Sequence, residues 1–500
     1  MTFLLATILS SSIAAKPAQA AGTLTVALVQ DVGSWDPIDT FVIDWASVAT
    51  NIFDGLVQRD PDLKLVPGLA TSWEELDNGK RIRFKLRENV KFQNGEPFDA
   101  NAVKFTFERL LGPEGAKGAQ RFNYTAIDKV NVIDDATVDF IMKEADPVLL
   151  VKLAGYGASI VPPKYITEKG EDYFNVHPIG TGPFKVVDYK PKVSVTLEPF
   201  ADHWDGKPQL DKLVYRFIAE PATQVAELQA GRVDIVSPLP VNLVSTVEQD
   251  PNLNVKSVTG PFVSGLRFNT KTGITKDENV RKALIMAVDR EAIIKSLLFG
   301  HAKSIVSFQS ELSFGYDPTL KPLPFDPGKA KEMLQAAGIK PGSTVQIDFQ
   351  SGDSTFREAV QAVAGYLQAV GIKASLKSYE PSVYRNDIVP TGKTGEMFQQ
   401  GSGGWTLDYD NSAYFSYHTG ELMNPYDKDP KLDEMLAAQR HIRDRAERLK
   451  ALQNIGRYVA DKALEMPLYN VNTVYGVAKR VKNFVPAVDR RLRLTAVTVD

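Results

Sequence analysis

Residues 345–376 carry the pattern that most restricts the possible fold of this chain. Apolar residues alternate over 345–349, recur at helical spacing over 356–367, and alternate again over 372–376. This succession predicts a strand, a helix and a second strand, which together form the repeating unit of an α/β sheet. Ligands of such sheets bind at the carboxyl ends of the strands, so the loop 350–355 is a candidate wall of a binding cleft.

Length and composition limit the classes of protein to which the chain can belong. Its 500 residues exceed what one hydrophobic core holds, so two or three domains are expected. A formal net charge of −3 without blocks of like charge argues against nucleic acid or a polybasic membrane surface as the main partner. The sequence contains no cysteine, which excludes disulfides, thiolate metal sites and a cysteine nucleophile.

The amino terminus has the pattern of an export signal. The apolar run over 3–15 is about as long as the core of a secretory signal and too short to span a bilayer, and Ala-Gln-Ala at 18–20 matches the cleavage pattern. We expect residues 1–20 to be a signal peptide that is removed, although the first residues lack the usual positive charge. Later runs of apolar residues are too short to cross a membrane, so the mature chain is expected to be periplasmic.

The segment 401–411, Gly-Ser-Gly-Gly-Trp-Thr-Leu-Asp-Tyr-Asp-Asn, has the composition of a ligand-binding wall. Its glycines allow a ligand to approach the backbone, Trp405 and Tyr409 offer flat apolar surfaces, and Asp408 can fix a cationic group. A turn that enters a buried aromatic cluster is the alternative interpretation of the same residues.

Two further stretches carry candidate ligand contacts. Arg357 falls in the first turn of the predicted helix if Ser354 is its N-cap, where the helix dipole mildly disfavours a cation. Its side chain is therefore either solvated or paired with an anion. The predicted strand 24–28 is followed by the loop 29–37, which is either a ligand edge or a plain exit from the strand.

An ordered series of motifs resembles one known family. The motifs are Phe-Asp-Gly-Leu at 53–56, Pro-Gly-Leu-Ala-Thr-Ser-Trp at 67–73, Asn-Gly-Glu-Pro-Phe-Asp-Ala at 94–100, Gly-Thr-Gly-Pro-Phe at 180–184, Leu-Gln-Ala-Gly-Arg-Val-Asp-Ile at 228–235 and Val-Arg-Lys-Ala-Leu at 280–284. They extend over almost the whole mature chain and resemble the family 5 extracellular solute-binding proteins. These proteins are the dipeptide, oligopeptide and nickel receptors of ABC importers.

The resemblance implies an α/β, two-lobed periplasmic-binding-protein fold of type II, cluster C, with an extra subdomain inserted in lobe I. The chain is expected to cross between the lobes near 260–262 and 469–472. The expected boundaries are 22–56, 181–261 and 475–500 for lobe I, 57–180 for the insertion subdomain and 262–474 for lobe II.

The resemblance also implies a function. We expect a receptor that captures a small solute between its lobes, preferably a peptide or a peptide-like compound, and delivers it to the permease of an ABC transporter. A hinge movement of the lobes is expected to close over the ligand. The chain is expected to be a monomer without cofactor, bound metal or catalytic residues.

Residue roles follow from the same resemblance. In the dipeptide and oligopeptide receptors an Asp three residues after a Trp holds the α-amino group of the ligand, which implies this role for Asp408. In the dipeptide receptors an Arg near the start of the corresponding helix holds the ligand's carboxylate, which implies this role for Arg357. The expected ligand-binding set is Trp405, Asp408, Arg357, Tyr409, Gly403, Gly404, Val32, Gly33 and Ser34.

The residues leave other ligands and an enzymatic role open as alternatives. Residues 410–418 depart from the peptide receptors, which leaves opines and oligosaccharides, and the Trp-x-x-x-Tyr spacing of Trp405 and Tyr409 occurs in receptors for nickel chelates. An exported hydrolase is a further alternative. However, no serine stands in a Gly-x-Ser-x-Gly motif and no histidine begins His-Glu-x-x-His, so the chain is expected not to be an enzyme.

Overall fold

A computed structural model describes residues 22–40, 42–402, 405–426 and 428–500 of the chain, and the expected signal peptide lies outside them. The strands are β1 (Thr23–Leu28), β2 (Val57–Arg59), β3 (Leu65–Pro67), β4 (Ala70–Leu76), β5 (Arg81–Leu86), β6 (Ile127–Asp134), β7 (Thr137–Met142), β8 (Phe184–Lys190), β9 (Ser194–Pro199), β10 (Lys212–Phe217), β11 (Ile235–Val236), β12 (Leu253–Phe268), β13 (Ala302–Lys303), β14 (Thr344–Gln350), β15 (Lys373–Tyr379), β16 (Met397–Ser402), β17 (Glu465–Ala478), β18 (Val481–Lys482) and β19 (Thr498–Val499).

The helices are α1 (Ile43–Ala49), α2 (Ala100–Leu111), α3 (Leu149–Leu153), α4 (Pro163–Lys169), α5 (Glu171–Phe174), α6 (Pro221–Gln229), α7 (Val244–Glu248), α8 (Glu278–Met286), α9 (Arg290–Leu297), α10 (Pro327–Ala336), α11 (Ser354–Ala369), α12 (Pro381–Val383), α13 (Tyr409–Tyr417), α14 (Pro430–Gln439) and α15 (Arg445–Asp461). Within the described ranges, no helix is both long enough and apolar enough to cross a membrane.

Most strands belong to one mixed sheet that runs through the whole molecule. Its strand order is β15-β14-β16-β12-β17-β11-β1-β10-β9-β8, and β13 pairs with β17. The long strands β12 and β17 run antiparallel, with Arg267 opposite Glu465 near one end. Because β17 pairs with β11 and β12 pairs with β16, these two strands connect the two halves of the sheet. The crossing segments expected near 260–262 and 469–472 lie within them.

Three clusters of buried apolar side chains divide the molecule. The first surrounds β1, β10 and β11 and includes Trp35 and Tyr215, and the second surrounds β14, α8 and α11 and includes Ile347. We refer to these halves as lobe I and lobe II. The third lies between α2 and a sheet of β4, β5, β7 and β6, and it contains Phe84 and Phe107. The fold is therefore α/β and two-lobed, with a subdomain inserted in lobe I.

The end of the expected insertion packs on lobe I. Tyr156, Ile166 and Phe174, which fall within the range 57–180, belong to the apolar cluster of lobe I. The Phe174 ring meets Phe53 of lobe I edge-on, with ring centroids 6.3 Å apart. The apolar sides of α4 and α5 therefore cover the core of lobe I.

The predicted strand-helix-strand unit is present at the edge of lobe II. β14 and β15 pair in parallel, and α11 connects them with Phe356, Val360 and Val363 buried in the lobe II core. The N-cap of α11 is Asp353 and not Ser354, because the Asp353 carboxylate accepts the backbone N–H of Phe356 at 2.9 Å. The strand-helix-strand unit was thus predicted correctly. The N-cap of its helix lies one residue earlier in the chain than Ser354.

Candidate functional site

A cavity opens where β14 and β16 end. The two strands pair in parallel, with Ile347 beside Met397, so their carboxyl ends near Gln350 and Gly401 lie at the same edge of the sheet. Open α/β sheets bind ligands at this edge. The volume of this cavity, which we call the Trp405 cavity, is about 350 Å³. The described residues that line it are Ser264, Gln350, Tyr384, Arg385, Gln399, Gln400, Gly401, Trp405, Asn411, Ser412, Phe415, Ser416 and Met423.

Trp405 forms one wall of the cavity and also reaches the other lobe. Its indole packs edge-on against Tyr156 of lobe I, with ring centroids 5.9 Å apart and an angle of 79° between the planes. It also lies against Gly155, where an added Cβ would stand 2.3 Å from Cζ3 of the indole. Glycine at 155 therefore allows the indole to reach lobe I, and the cavity borders the contact between the lobes.

The backbone that follows Trp405 is held from both sides. Arg59 of the inserted subdomain is buried and donates from Nη2 to the carbonyl oxygen of Thr406 at 2.6 Å. On the lobe II side, the backbone N–H of Phe314 donates to the carbonyl oxygen of Leu407 at 2.8 Å. These two bonds fix the chain next to Trp405 and thereby position its indole.

Glutamine side chains give the cavity a lining of amide groups. Gln399 Oε1 accepts the backbone N–H of Gln350 at 2.8 Å, and Gln400 Nε2 donates to Ser416 Oγ at 2.6 Å. The hydroxyl of Tyr384 donates to the carbonyl oxygen of Gln399 at 2.8 Å. Amides held in this way can both donate to and accept from the peptide groups of a solute.

Arg385 supplies the positive charge of the described lining. It is exposed on a helical turn, Tyr384–Ile388, that follows α12, and the buried Tyr384 anchors this turn to β16. No Asp or Glu occurs among the described residues that line the cavity. Nor does the described part of the chain contain a group of three His, Asp or Glu side chains that could hold a metal ion. Apolar walls, amides and one cation suit a small solute with a carboxylate.

Asp408 lies outside the cavity lining and is paired within the protein. Its Oδ2 accepts from Arg448 Nη1 at 2.7 Å, and its Oδ1 accepts from Arg448 Nη2 at 2.8 Å. Oδ1 also accepts the backbone N–H of Asp410 at 3.0 Å, which makes Asp408 the N-cap of α13. Because Asp408 is only 5% exposed, this arrangement differs from the expected role of holding a ligand's amino group.

Tyr409 and Arg357 also lie outside the described lining. Tyr409 is 1% exposed and packs with Leu452 and Ile455, and burial raises the pKa of its hydroxyl well above the usual range. Tyr409 therefore belongs to a buried aromatic cluster, which was the alternative interpretation of this segment. Arg357 is exposed near the start of α11.

The expected loop of lobe I is fixed by side chains of its own lobe. Val32 is buried in the lobe I core, Gly33 adopts a φ of 72°, and the hydroxyl of Ser34 donates to a carboxylate of the same lobe at 2.7 Å. The described lining of the Trp405 cavity does not include this loop. The expected contacts Gly403 and Gly404 lie outside the described residues.

Several lining residues were not predicted from the sequence. Gln399 and Gln400 directly precede the glycine-rich segment, so polar residues at the end of a strand were a usable signal. Ser412 and Phe415 lie on one face of α13, which helical spacing could also have indicated. No local sequence pattern indicated Arg385, because it reaches the cavity only through the packing of its turn on β16.

Solved structures of known proteins resemble this architecture. The periplasmic binding protein DppA from Helicobacter pylori in complex with the peptide STSA matches with a TM-score of 0.79 at 25% identity, over 96% of this chain and 98% of that one. The binding protein AgaA from A. tumefaciens R10 in complex with agropinic acid matches with a TM-score of 0.78 at 27% identity, over 96% of this chain and 99% of that one.

Sequence comparison agrees with the structural matches. The chain is 27% identical over 486 residues to the glutathione-binding protein GsiB of Salmonella typhi, over 95% of this chain and 94% of that protein. The profile described as "Bacterial extracellular solute-binding proteins, family 5 Middle" matches residues 64–424. The resemblance noted from the motifs is therefore confirmed, and the chain belongs to the family 5 bacterial extracellular solute-binding proteins.

Proposed function

We propose that this solute receptor of an ABC importer captures a small peptide or a peptide-like compound in the Trp405 cavity. The position of Trp405 carries the proposal, because one indole walls the cavity in lobe II and contacts Tyr156 of lobe I. A solute in the cavity therefore lies beside the junction of the lobes. There it can favour their closed arrangement over an open one, provided that it makes contacts only the closed state offers.

The relatives and the lining support this class of solute. The GsiB relative is named as a glutathione-binding protein, and the DppA structure contains a peptide. Amide side chains in the lining can pair with peptide groups in the same way that peptide groups pair with each other. An opine is the second candidate, because the AgaA structure contains agropinic acid.

The proposal extends to the movement and the setting of the receptor. The lobes close about β12 and β17, whose pairing shifts register between Thr259 and Val263, where the chain is expected to cross between the lobes. The receptor acts as a periplasmic monomer after removal of residues 1–20, without cofactor or enzymatic activity. We retain the proposed type II, cluster C class with 22–56, 181–261 and 475–500 as lobe I, 57–180 as the insertion within lobe I and 262–474 as lobe II.

A thermal-shift panel followed by calorimetry tests the solute class. The panel contains glutathione, the peptide Ser-Thr-Ser-Ala, an opine, an oligosaccharide and a nickel–histidine chelate. We expect a peptide to raise the melting temperature, since a ligand that binds only the folded state stabilises it. Trp405→Ala should weaken binding of that peptide at least about tenfold, because a large aromatic contact is lost.

Trp73→Ala is the matched control for this variant. It removes another half-buried indole, on β4 in the inserted subdomain, and should leave the affinity unchanged. Equal affinity of the parent and Trp405→Ala, or a response to the oligosaccharide alone, would contradict the proposal. Turnover of a panel compound by the pure protein would favour a hydrolase.

A further inference from the structure

Two acidic side chains at the start of α13 are both paired inside lobe II. Arg448 holds both oxygens of Asp408, and its third nitrogen, Nε, donates to Gln439 Oε1 at 3.1 Å. Arg440 donates from Nε and Nη2 to Oδ1 and Oδ2 of Asp410 at 2.8 and 3.1 Å, and Gln439 Nε2 also donates to Oδ1. Asp408 and Asp410 are 5% and 3% exposed.

This network opposes a ligand role for either carboxylate. An ammonium group could reach Asp408 only by displacing a guanidinium that is bound through two nitrogens. Arg448 is itself 5% exposed, so the displacement would leave it buried without its counter-charge. A buried unpaired charge costs much more than a buried ion pair. The two acids therefore stay with their arginines, and the cavity recognises its solute with other groups.

The other groups are a cation and several amides. Arg385 is exposed at the cavity, and Asp387, two residues further along the same turn, is exposed and lies outside the described lining. Glu380, the acid that precedes the turn, is the cap of α12. Glu380 Oε2 accepts the backbone N–H groups of Ser382 and Val383 at 2.8 and 3.1 Å. No acid occurs among the described lining residues, so the described cavity offers an oppositely charged partner for a carboxylate and none for an ammonium.

We propose that the Trp405 cavity selects its solute by carboxylate and amide groups and gains no affinity from a free α-ammonium group. This inference rests on the function proposed above and narrows its solute class to amide-bearing carboxylic acids. Arg385 pairs with the carboxylate, and Gln350, Gln399 and Gln400 bind the amides. The amino group of the solute can therefore be acylated or substituted without loss of binding.

Calorimetry with chemically blocked peptides tests the inference. Glutathione and Ser-Thr-Ser-Ala are each titrated unmodified, N-acetylated, and with their carboxylates converted to amides. We expect the N-acetylated forms to bind within about threefold of the unmodified ones. The amidated forms should bind at least about tenfold more weakly, because a charge-assisted hydrogen bond is lost.

Two exposed arginines provide a matched pair of variants. Arg385→Gln should weaken binding of the unmodified forms about as much as amidation does, and it should leave the amidated forms nearly unchanged. Arg121→Gln, exposed in the inserted subdomain, is the control and should leave every affinity unchanged. Unchanged affinity with Arg385→Gln would overturn the inference, and a loss with Arg357→Gln in its place would assign the carboxylate to the arginine that the resemblance implies.

The failure of this inference can be distinguished from failure of the proposed function. If N-acetylation weakens binding at least about tenfold while amidation has no effect, the solute class stands and the inference is wrong. If no form of either peptide binds, both the peptide class and the inference are wrong. Binding that is lost only on amidation supports both.

Discussion

At the scale of single residues, Glu465 has a charge state that depends on its burial. It is 2% exposed on β17, and burial raises the pKa of its carboxyl to about 7. The backbone N–H of Phe308 donates to Oε1 at 2.8 Å, the Tyr417 hydroxyl donates to Oε2, and the positive charge of Arg267 acts on the same carboxyl. These partners do not offset the loss of water around the ionised form.

We expect Glu465 to make the stability of the protein depend on pH. Between the usual pKa of 4.5 and the folded value of about 7, the folded protein keeps a proton that the unfolded chain releases. The stabilisation is therefore fully present below about pH 4.5 and is lost as the pH rises through about 7. Relative to Glu465→Gln, the parent should lose on the order of 3 kcal/mol of unfolding free energy over this window.

Urea denaturation at about pH 5 and about pH 8 measures this difference. Glu227→Gln is the control, because ion pairs with Arg232 and Arg216 lower the pKa of Glu227 to about 2, so its contribution should not change between the two conditions. A difference between parent and Glu465→Gln that is the same at both pH values would show that Glu465 does not titrate as described.

The segment 401–411 shows how far local sequence determines a binding wall. Trp405 was predicted as a wall and lies in the lining of the cavity. The prediction was possible because a glycine-rich segment that leads into an aromatic residue is a local pattern. Asp408 was given a ligand role, but its partner Arg448 lies 40 residues further along the chain. No local pattern could show that pairing, since it depends on how α13 and α15 pack.

At the scale of elements, the Asp408–Arg448 pair joins the start of α13 to α15. We expect Asp408→Ala to lower the unfolding free energy by about 3–5 kcal/mol, because it leaves a buried guanidinium without its partner. Affinity for the peptide that binds the parent should stay within about threefold. Urea denaturation and calorimetry on the same preparation measure the two effects.

A double-mutant cycle separates the pair from its surroundings. Arg448→Ala should cost about as much as Asp408→Ala, and the double variant should lose less than the sum of both. Glu332→Ala is the control, since its pair with Lys329 is exposed and should contribute less than about 1 kcal/mol. Unchanged stability of Asp408→Ala together with lost affinity would restore the ligand role of Asp408.

Other elements show the same division between local and distant determinants. The unit of β14, α11 and β15 was predictable because apolar periodicity reports which face of an element is buried. The predicted cap of α11 differs from the observed one by one residue, because Asp353 and Ser354 are both favourable caps. The packing of α4 and α5 on lobe I was not predictable, since periodicity does not report which core a face covers.

At the scale of the whole molecule, one sheet extends through both lobes of a solute receptor. β12 and β17 carry the sheet from lobe I to lobe II, and the Trp405 cavity lies beside the contact between the lobes. The subdomain also reaches lobe II through the bond from Arg59 to Thr406. Both contacts join lobe II to the other half of the molecule, so a solute that favours a closed arrangement of the lobes should reduce the dimensions of the molecule.

Small-angle X-ray scattering measures this closure. We expect the radius of gyration to fall when the peptide that binds is added at saturating concentration, because the free protein populates open arrangements that the solute disfavours. A panel compound that does not bind serves as the control and should leave the curve unchanged. An unchanged radius of gyration with bound peptide would contradict a hinge movement.

The contact between Trp405 and Gly155 limits how the sequence can vary. An added methyl group at 155 would overlap the six-membered ring of the indole, so the volumes at these two distant positions are coupled. A larger residue at 155 requires the indole at 405 to be smaller or displaced, whereas a smaller residue at 405 relieves this overlap and leaves at 155 only the tight contact with the carbonyl oxygen of Lys152, 3.1 Å from an added Cβ. The contact between the lobes therefore constrains the side-chain sizes at positions 155 and 405 jointly. Neither position shows this constraint when it is considered alone.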